Sequence, residues 1–585
     1  MTVRFEKAGI ATLDGTTEAT MTPPSGVRPQ GVRIDVSELS RRVRVRNRGE
    51  LTLLDAVSFT LSAGEFVAIV GPSGAGKTTL LEAMAGIAPA TSGSVRFDGI
   101  DLHANLGTFR SVLGYVPQDD IIHADLPLQR TLRYAARLRL PSSAMAAEVE
   151  DAVRDAIDAV GLTGQEDVRV GSLSGGQRKR ASIAVELLTD PHVFFLDEPT
   201  SGLDPVTSAE LIAHLRQLAD RSATVVFTTH SLDDLALCDR IVFMTRGGRV
   251  GFVGTVDDAL EQFGVSSVPE LYRRLADPDG TTFAAASAAA VPAPRVGARD
   301  VIRRPVASGL TQWGVLTHRT LETFVRNRLT LAILVGSPAL VVGMFAIIFR
   351  PGAFDFQDPS PSSMVMIGFW VVFAAFFFGL TYGLLQICTE RTILRRERLV
   401  GLRLGAYVAS KVTVLVPFLL VVVVAMLGVL RVLDRLPSRP LSTYASMGVG
   451  LLLCAVAALG LGLLASAVVG NVAQATLALP MLCFPAVLFS GAILPVNLMA
   501  RAGAALSVVI PSRWAFEAMG HDLGARRILA EGGSPLGPPL LSSYGDAGTQ
   551  STGIYWVVLG AFAVVFLVAT WGVLVRSTRR SRFLP

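Results

Sequence analysis

Residues 71–78 of the chain read Gly71-Pro72-Ser73-Gly74-Ala75-Gly76-Lys77-Thr78 and match the phosphate-loop pattern G-x-x-x-x-G-K-S/T. Apolar residues 66–70 before this stretch predict a buried strand, and residues 79–85 after it predict a helix. Glycines let backbone N–H groups close around phosphates, and the N-terminus of a helix adds a favourable dipole. Lys77 is expected to reach the β- and γ-phosphates, and the Thr78 hydroxyl to ligate Mg²⁺. The residues predicted to bind the nucleotide here are Gly71, Pro72, Ser73, Gly74, Ala75, Gly76, Lys77, Thr78 and Thr79.

Further polar elements follow this loop, each at the end of a predicted strand or the start of a predicted helix: Gln118, Ser174-Gly175-Gly176-Gln177, Asp197-Glu198 and His230. A carboxylate at the end of a buried strand beside a phosphate loop can hold Mg²⁺, which suits Asp197 together with Thr78. Gln118 is expected to touch the metal ion or the water, and Glu198 to polarise the attacking water. His230 is expected to contact the γ-phosphate. Taken singly, each residue has an ordinary alternative, such as a solvated loop side chain or a helix cap.

The segment Ser174-Gly175-Gly176-Gln177 opens a predicted helix and forms a second cradle for an anion. One nucleotide cannot easily use both cradles of one chain. The sequence therefore predicts that these four residues bind a nucleotide held by the phosphate loop of a second subunit.

Taken together, the five elements resemble those of the ATP-binding cassette (ABC) superfamily, and the match covers residues 32–263. Residues 134–141 and 175–191 are similar to the G subfamily, whose half-transporters place the nucleotide domain before the membrane domain. The resemblance implies an α/β P-loop ATPase domain of the ABC type over residues 32–265, with ATP and Mg²⁺ as cofactors. Two features depart from the family. Arg130 stands where many relatives carry a glutamate, and positions 41–45 lack the aromatic residue that stacks on adenine in many ABC domains, so an arginine is the alternative.

The second half of the chain is too apolar for a soluble protein. Hydrophobic residues make up 50% of the 585 positions and charged residues 17%, and the apolar excess follows residue 328. The formal charge of +5 does not indicate nucleic acid as a partner, because the arginines cluster beside the apolar segments. The sequence predicts an all-α domain of six transmembrane helices over residues 329–585, with spans near 329–349, 364–388, 407–432, 444–469, 472–494 and 554–575.

The placement of arginines predicts the orientation of these spans. Arginines crowd the connection between the second and third spans and the segment after the sixth, and both belong in the cytoplasm by the positive-inside rule. The connection after the third span carries Arg431, Arg435 and Arg439 yet has to lie outside, which is a mild conflict. Residues 1–31 predict a disordered tail without a signal pattern. We therefore expect a multi-pass protein of the inner (plasma) membrane, with its nucleotide domain and both termini in the cytoplasm.

Two segments are expected to join the domains: an Ala- and Pro-rich linker at 266–309 and an amphipathic connecting helix at 310–328. Residues 390–406 resemble the coupling segment of the G subfamily, which rests on the nucleotide domain. Glu397 and its neighbouring arginines are then expected to transmit closure of the ATP sites, the alternative being a solvated anchoring loop. The predicted outer loop, 495–553, contains no cysteine, and the four cysteines form no C-x-x-C pair. Neither a disulfide framework nor a zinc site is indicated.

The substrate path is expected between the second and fifth spans, which line the cavity in the G subfamily. The candidates there are Phe373, Phe376, Phe377, Phe378, Phe484, Phe489, Asn471 and Gln474. Polar groups buried in a span are functional candidates, whereas most phenylalanines contact lipid or other helices. Residues 488–493 look like the family's gate at the outer end of the fifth span.

The resemblance implies an ATP-driven exporter in which two chains share two ATP molecules. A homodimer is favoured over a heterodimer. Because the expected cavity is apolar and aromatic, the predicted cargo is a lipid, a glycolipid or another hydrophobic small molecule, and membrane lipid is an expected partner. The alternatives are a membrane-embedded regulatory ATPase that signals rather than transports, and a soluble ABC ATPase, which six spans would exclude.

Overall fold

The computed structural model of the protein describes residues 31–45, 49–109, 112–276 and 307–580. The predicted tail, apart from its last residue, and most of the predicted linker lie outside this part of the chain. The described elements form an α/β region up to residue 276 and an all-helical region from residue 309. The predicted fold class, an ABC-type P-loop domain followed by a helical membrane domain, is confirmed.

The elements of the α/β region are short, as expected for alternating strands and helices. The strands are β1 Ile34–Val45, β2 Gly49–Leu61, β3 Phe66–Val70, β4 Ser92–Phe97, β5 Ile100–Asp101, β6 Leu113–Val116, β7 Val193–Leu196, β8 Thr224–Thr228, β9 Arg240–Thr245 and β10 Arg249–Gly254. The helices are α1 Lys77–Met84, α2 Leu106–Phe109, α3 Leu128–Arg139, α4 Ala146–Ala159, α5 Gly175–Leu187, α6 Pro205–Asp220, α7 Val256–Phe263 and α8 Val268–Ala276.

Two sheets organise this region. One is antiparallel with the order β2-β1-β4-β5, and the other has the order β10-β9-β3-β8-β7-β6. In the second sheet, β9, β3, β8, β7 and β6 run parallel, and only the edge strand β10 is antiparallel. β3 lies between strands on both sides and is apolar and buried throughout, which is typical of a strand covered on both faces. The parallel arrangement brings the carboxyl ends of β3, β6, β7 and β8 to one edge, where ligands bind in such sheets.

The boundary of the α/β region lies later than predicted. Residues 268–276 form α8, although the predicted linker begins at residue 266. Leu271 of this helix is buried, and the Tyr272 ring packs edge-on against Phe243 of β9 at 5.4 Å between centroids. Apolar residues at positions 268, 271 and 272 have helical spacing, so this stretch belongs with the α/β region.

The helical region begins with the predicted connecting helix. Its helices are α9 Gly309–Arg326, α10 Arg328–Ile348, α11 Pro361–Leu384, α12 Arg391–Leu399, α13 Leu404–Val432, α14 Leu441–Val468, α15 Val472–Leu488, α16 Arg501–Val508, α17 Pro511–Asp522, α18 Ala525–Glu531, α19 Gly537–Tyr544 and α20 Thr552–Arg580. Among the described residues, α11, α13, α14 and α20 are long and apolar enough to cross a membrane. Residues 335–348 of α10 and the whole of α15 are apolar but shorter. A helix therefore occupies each of the six predicted spans.

Helix α14 packs closely against α11 because small residues line their contact. A Cβ atom on Gly379 would lie 2.0 Å from the Ala455 carbonyl oxygen, and one on Gly383 would lie 2.5 Å from that of Leu459. These two glycines are four residues apart and therefore share one face of α11. Small residues at this spacing let the backbones of membrane helices approach each other.

Two of the three arginines that conflicted with the predicted orientation, Arg435 and Arg439, cap helix ends. After α13, Arg435 donates to the Ala346 carbonyl near the end of α10 at 2.9 Å. Arg439 donates to the Leu523 carbonyl at the end of α17 at 3.2 Å. The carbonyls of a last helical turn lack intrahelical partners, and arginine can satisfy them. These arginines therefore have a structural role that does not depend on the side of the membrane.

Candidate nucleotide site and its joint with the membrane helices

The phosphate loop, residues 71–78, joins β3 to α1 as predicted. Gly71 and Gly76 have positive φ angles of 146° and 94°, and a Cβ on Gly71 would lie 2.2 Å from the Met244 carbonyl oxygen. Only glycine tolerates this conformation and this approach. Lys77 opens α1, and its Nζ donates to the carbonyls of Gly71 and Pro72 at 2.9 and 3.2 Å. The lysine is therefore held inside the loop, where burial lowers its pKa.

The hydroxyl of Thr78 and the carboxylate of Asp197 meet beside this loop. Thr78 Oγ1 donates to Asp197 Oδ1 at 3.1 Å, and Thr228 Oγ1 donates to the same oxygen at 2.7 Å. Asp197 directly follows β7, and Thr228 is the last residue of the neighbouring strand β8. The sheet thus fixes the carboxylate against the threonine of the phosphate loop.

Glu198 contacts Gln118 and His230, the two residues that the sequence predicts at the same site. Gln118 Nε2 donates to Glu198 Oε2 at 3.0 Å, and His230 Nε2 lies 2.6 Å from Glu198 Oε1. The backbone of Glu198 is left-handed, with φ 45°, and its N–H donates to Thr228 Oγ1 at 2.8 Å. A left-handed conformation is uncommon for a residue other than glycine and often marks a functional position. Gln118, Glu198 and His230 follow β6, β7 and β8 respectively, so the topology of the sheet explains their meeting.

The second predicted cradle lies at the start of another helix. Ser174 caps α5, with its Oγ accepting from the Gln177 N–H at 3.2 Å and its own N–H donating to Gln177 Oε1 at 3.0 Å. In the described part of the chain, no side-chain hydrogen bond links Ser174 or Gln177 to the phosphate loop. Ser174 and Gly175 of this capped segment are exposed, and Gly176 and Gln177 are partly buried.

The structure reduces the number of arginines that could stack on adenine. Arg41 is buried and lies 3.4 Å from Glu82, so its guanidinium is occupied. Arg42 and Arg44 on the same strand are exposed. Of the arginines at positions 41–45, these two remain candidates for stacking on the base.

Comparison with known proteins agrees with this geometry. Residues 54–201 match the family model described as "ABC transporter", and residues 311–521 match the model described as "ABC-2 type transporter". The chain belongs to the ABC transporter family. Its nucleotide-binding domain precedes a membrane domain, which is the predicted order.

Several curated proteins are similar to this ABC transporter chain. The ATP-binding/permease protein Rv1747 of Mycobacterium tuberculosis is 33% identical over 486 residues, which are 80% of this chain and 56% of that protein. ABC transporter G family member 22 of Arabidopsis thaliana is 36% identical over 37% of this chain and 29% of its own length. G family member 14 of the same plant is 34% identical over 40% of this chain and 36% of its own. The chain thus spans about half the length of the mycobacterial relative and a third or so of the plant relatives.

The two domains of the ABC chain meet at a buried arginine of α12. Arg396 Nε donates to Glu186 Oε1 at 2.7 Å, and its other nitrogens donate to the carbonyls of Ile121 and Ser182 at 2.6 and 2.8 Å. Glu186 also accepts two hydrogen bonds from Arg139 of α3, at 2.7 and 2.8 Å. The side chains of Arg139, Glu186 and Arg396 are only 3%, 4% and 7% exposed. We call these three residues the arginine joint.

The joint is charged at neutral pH. Burial alone would raise the pKa of Glu186, but the guanidinium groups of Arg139 and Arg396 outweigh burial and lower it to about 2. A carboxyl with a lowered pKa stabilises the folded state above its ordinary pKa, and this contribution disappears as the pH falls towards 2. The joint is therefore expected to stay intact throughout the neutral range.

Arg396 lies in the predicted coupling segment, where Glu397 was the residue expected to transmit closure of the ATP sites together with its neighbouring arginines. Glu397 lines a small cavity together with His123 and Arg139 of the nucleotide domain, but its ion pair is with the connecting helix. Glu397 is 12% exposed, and both of its carboxylate oxygens accept from Arg319 of the connecting helix α9, one of them at 3.1 Å. Glu397 thus braces α12 against α9, whereas its neighbour Arg396 reaches the nucleotide domain.

We expect Glu397→Ala to reduce substrate transport more than basal ATPase activity. The change leaves the buried Arg319 guanidinium without its carboxylate, which costs on the order of 3–5 kcal/mol when a buried pair loses one partner. Both activities should be measured on one reconstituted preparation. Glu397→Gln, which retains hydrogen-bond acceptors, is the matched control and should lose less. Unchanged transport by Glu397→Ala at equal protein density would contradict the bracing role.

Several residues of the predicted substrate path have other roles in this fold. Asn471 and Gln474 are exposed rather than buried, and they cap α15: Asn471 Oδ1 accepts from the Gln474 N–H at 2.9 Å. Phe376 and Phe378 are buried within the helix packing of the described chain. Phe373 and Phe377 are partly buried in an aromatic row, with ring centroids 6.1 Å apart. Phe484, on α15, is 65% exposed.

Proposed function

We propose that this protein is an ATP-driven exporter that works as a dimer of half-transporters. The arginine joint carries this proposal, because it connects α5, the helix that Ser174 caps, directly to the segment between membrane helices α11 and α13. An energy-coupled transporter requires a physical contact through which conformational changes at the nucleotide site reach the membrane helices. The arginine joint is a buried contact of this kind.

In the proposed reaction, Glu198 is the general base. It takes a proton from the water that attacks the γ-phosphate of ATP, and ADP and phosphate leave. Gln118 and His230 orient its carboxylate through the two contacts at 3.0 and 2.6 Å. Lys77 and the backbone of residues 71–78 bind the phosphates.

The donor set beside the phosphate loop fits Mg²⁺. The Thr78 hydroxyl and the Asp197 carboxylate already lie 3.1 Å apart, and together with the Gln118 amide they supply the oxygen ligands that this cation prefers. When bound, Mg²⁺ would neutralise negative charge on the phosphates. Thr78, Asp197 and Gln118 are the residues that would hold it.

We propose that each ATP lies between the phosphate loop of one chain and the Ser174–Gln177 cradle of the other. The capped, exposed start of α5 supports this arrangement, since backbone N–H groups at a helix N-terminus attract phosphate. An identical chain supplies the second cradle in the simplest assembly.

A complementation experiment tests the shared sites. Ser174→Arg should inactivate a dimer of identical chains, because the bulky cation fills the cradle. Mixing Ser174→Arg chains with Lys77→Ala chains gives dimers with one intact site and one doubly damaged site. We expect ATPase activity to recover partly in these mixed dimers but not in the Ser174→Arg dimer. Parental activity of a monomeric Ser174→Arg chain would contradict shared sites.

The proposed cargo is hydrophobic or lipid-like. The exposed face of α15 consists of apolar side chains at helical spacing, namely Leu477, Met481, Phe484 and Leu488. No Asp, Glu, Lys or Arg lies in the middle of α11, α14 or α15. Such a surface can bind apolar molecules but provides no charged group for an ion-coupled carrier.

We place the protein in the plasma membrane, with the nucleotide domain and both termini in the cytoplasm. Reconstitution tests the function directly: ATP-dependent movement of phospholipids or hydrophobic dyes should occur in vesicles whose outward-facing nucleotide domains have access to ATP. ATP hydrolysis without movement of any such probe, coupled instead to a change in another protein, would favour a regulatory ATPase.

A further inference from the structure

Lys179 is a buried cation without a carboxylate partner in the described part of the chain. It lies one turn into α5 and is only 3% exposed. Its Nζ donates to the backbone carbonyls of Pro117 and Gln118 at 3.1 and 2.7 Å. Within the described residues it makes no ion pair closer than 4 Å; burial lowers the pKa of Lys179, and the charge of Asp120 in the same loop opposes that shift. Burying an ammonium group is costly unless its bonds are satisfied, so this placement needs an explanation.

The two carbonyls belong to the loop that carries Gln118. This loop follows β6, and Gln118 directs its side-chain amide to Glu198. Farther along, the Ile121 carbonyl accepts from Arg396 of the arginine joint. Arg396 also donates to Ser182, which lies on α5 one turn beyond Lys179. The loop is therefore attached to α5 at one end by Lys179 and at the other end through Arg396.

We propose that Lys179 is a positioning residue for ATP hydrolysis that ties the Gln118 loop to α5 and so holds Gln118 against Glu198. This inference rests on the proposed ATPase function. Ser174, where the nucleotide of the partner chain would bind, caps helix α5, and the helix contacts the membrane domain at Glu186. Movement of α5 at either end therefore shifts the Gln118 loop through the Lys179 ammonium, and the catalytic carboxylate moves with it. ATP hydrolysis in one site thereby depends on engagement of the other cradle.

The test compares Lys179→Met with the parent in the full-length dimer reconstituted in vesicles. Methionine has a similar length and apolar stem but donates no hydrogen bond. We expect the turnover number for ATP to fall about tenfold or more, while the dissociation constant for a non-hydrolysable ATP analogue stays within about threefold. Lys179→Arg, which keeps the donors and the charge, should recover part of the turnover. Arg178→Met, a change of the exposed neighbouring cation, should stay within about twofold of the parent.

A double-mutant cycle separates positioning from a general structural role. If Lys179 acts through Gln118, adding Lys179→Met to Gln118→Ala should cost little beyond Gln118→Ala alone. Fully additive losses, parental turnover in Lys179→Met, or a loss of analogue binding that Lys179→Arg does not repair would each overturn the inference. Failure of the parent to hydrolyse ATP would instead refute the proposed function, so the two failures are distinguishable.

Discussion

Glu198→Gln is expected to bind ATP with nearly parental affinity and to hydrolyse it about 10²-fold or more slowly. Glutamine occupies the same volume and can still contact Gln118 and His230, but it cannot accept a proton from the attacking water. General-base catalysis typically contributes 10²–10⁴-fold, which sets the expected size of the loss. Because the phosphate loop is untouched, the nucleotide should accumulate in the site as unhydrolysed ATP.

The measurement combines release of phosphate with binding of labelled ATP at equilibrium. Lys77→Ala provides the opposite pattern, because it removes the ammonium group held in the phosphate loop and should weaken binding itself. Asp119→Asn is a matched control: it makes the same carboxylate-to-amide change at an exposed residue next to Gln118 and should stay near the parental rate. Parental turnover in Glu198→Gln would show that another group is the base.

Much of the nucleotide site was predictable because its residues occupy ends of apolar strands. Gln118, Asp197 and His230 each follow a short hydrophobic run, and parallel strands place such residues at one edge. The sequence could not show the left-handed backbone of Glu198 or the hydrogen bond from Thr228 that supports it. Both depend on the register of two strands that lie about 30 residues apart in the chain.

The joint between the domains was harder to predict, because its partners are far apart in sequence. Glu186 and Arg396 are separated by 210 positions, and nothing local indicates their pairing. One signal was present: Glu186 is a lone carboxylate in the otherwise apolar second half of α5, and a buried carboxylate needs a partner. Choosing among the arginines of residues 391–403 required the phase of α12, which turns Arg396 inward and leaves Arg395 exposed.

In the membrane domain, too, contacts between residues far apart in the chain could not be predicted from the sequence. Hydropathy located the six apolar helices, but burial of individual side chains follows from their packing partners. Gly379 and Gly383 bring α11 against α14, and Phe376 and Phe378 of α11 are buried within the packing of the described helices. Asn471 and Gln474 lie at the first turn of α15, where the need to cap backbone N–H groups accounts for them.

Arg396→Met should uncouple ATP hydrolysis from transport. Removal of the guanidinium deletes the hydrogen bonds to Glu186, Ile121 and Ser182, the direct contacts of this side chain with the nucleotide domain. A hydrogen bond to a charged group contributes about 1.5–3 kcal/mol, so losing even one lowers the equilibrium constant for forming the joint by about tenfold or more. We expect transport to fall at least tenfold and stimulation of the ATPase by substrate to disappear, with basal ATPase within about threefold of the parent.

This test replaces Arg396 rather than Glu186 because Glu186 has two partners. In Arg396→Met, Glu186 keeps both hydrogen bonds from Arg139, so no unpaired carboxylate is buried in the nucleotide domain. Changing Glu186 instead would leave two buried guanidinium groups facing each other and would destabilise the fold together with the coupling. The arginine is thus the member of the joint whose removal tests coupling with the least damage to folding.

Two controls complete this experiment. Arg395→Met removes an exposed arginine from the same helix and should leave transport close to parental, which excludes a general effect of charge in α12. Arg396→Lys keeps the charge but not the planar fork that reaches three acceptors at once, so its transport should be intermediate. Vesicles with equal protein density and sidedness are required, since only the ratio of transport to ATPase reports coupling. A parental ratio in Arg396→Met would mean that force passes between the domains by another contact, with Tyr134 and Glu322 the next candidates, because they hydrogen-bond between α3 and α9.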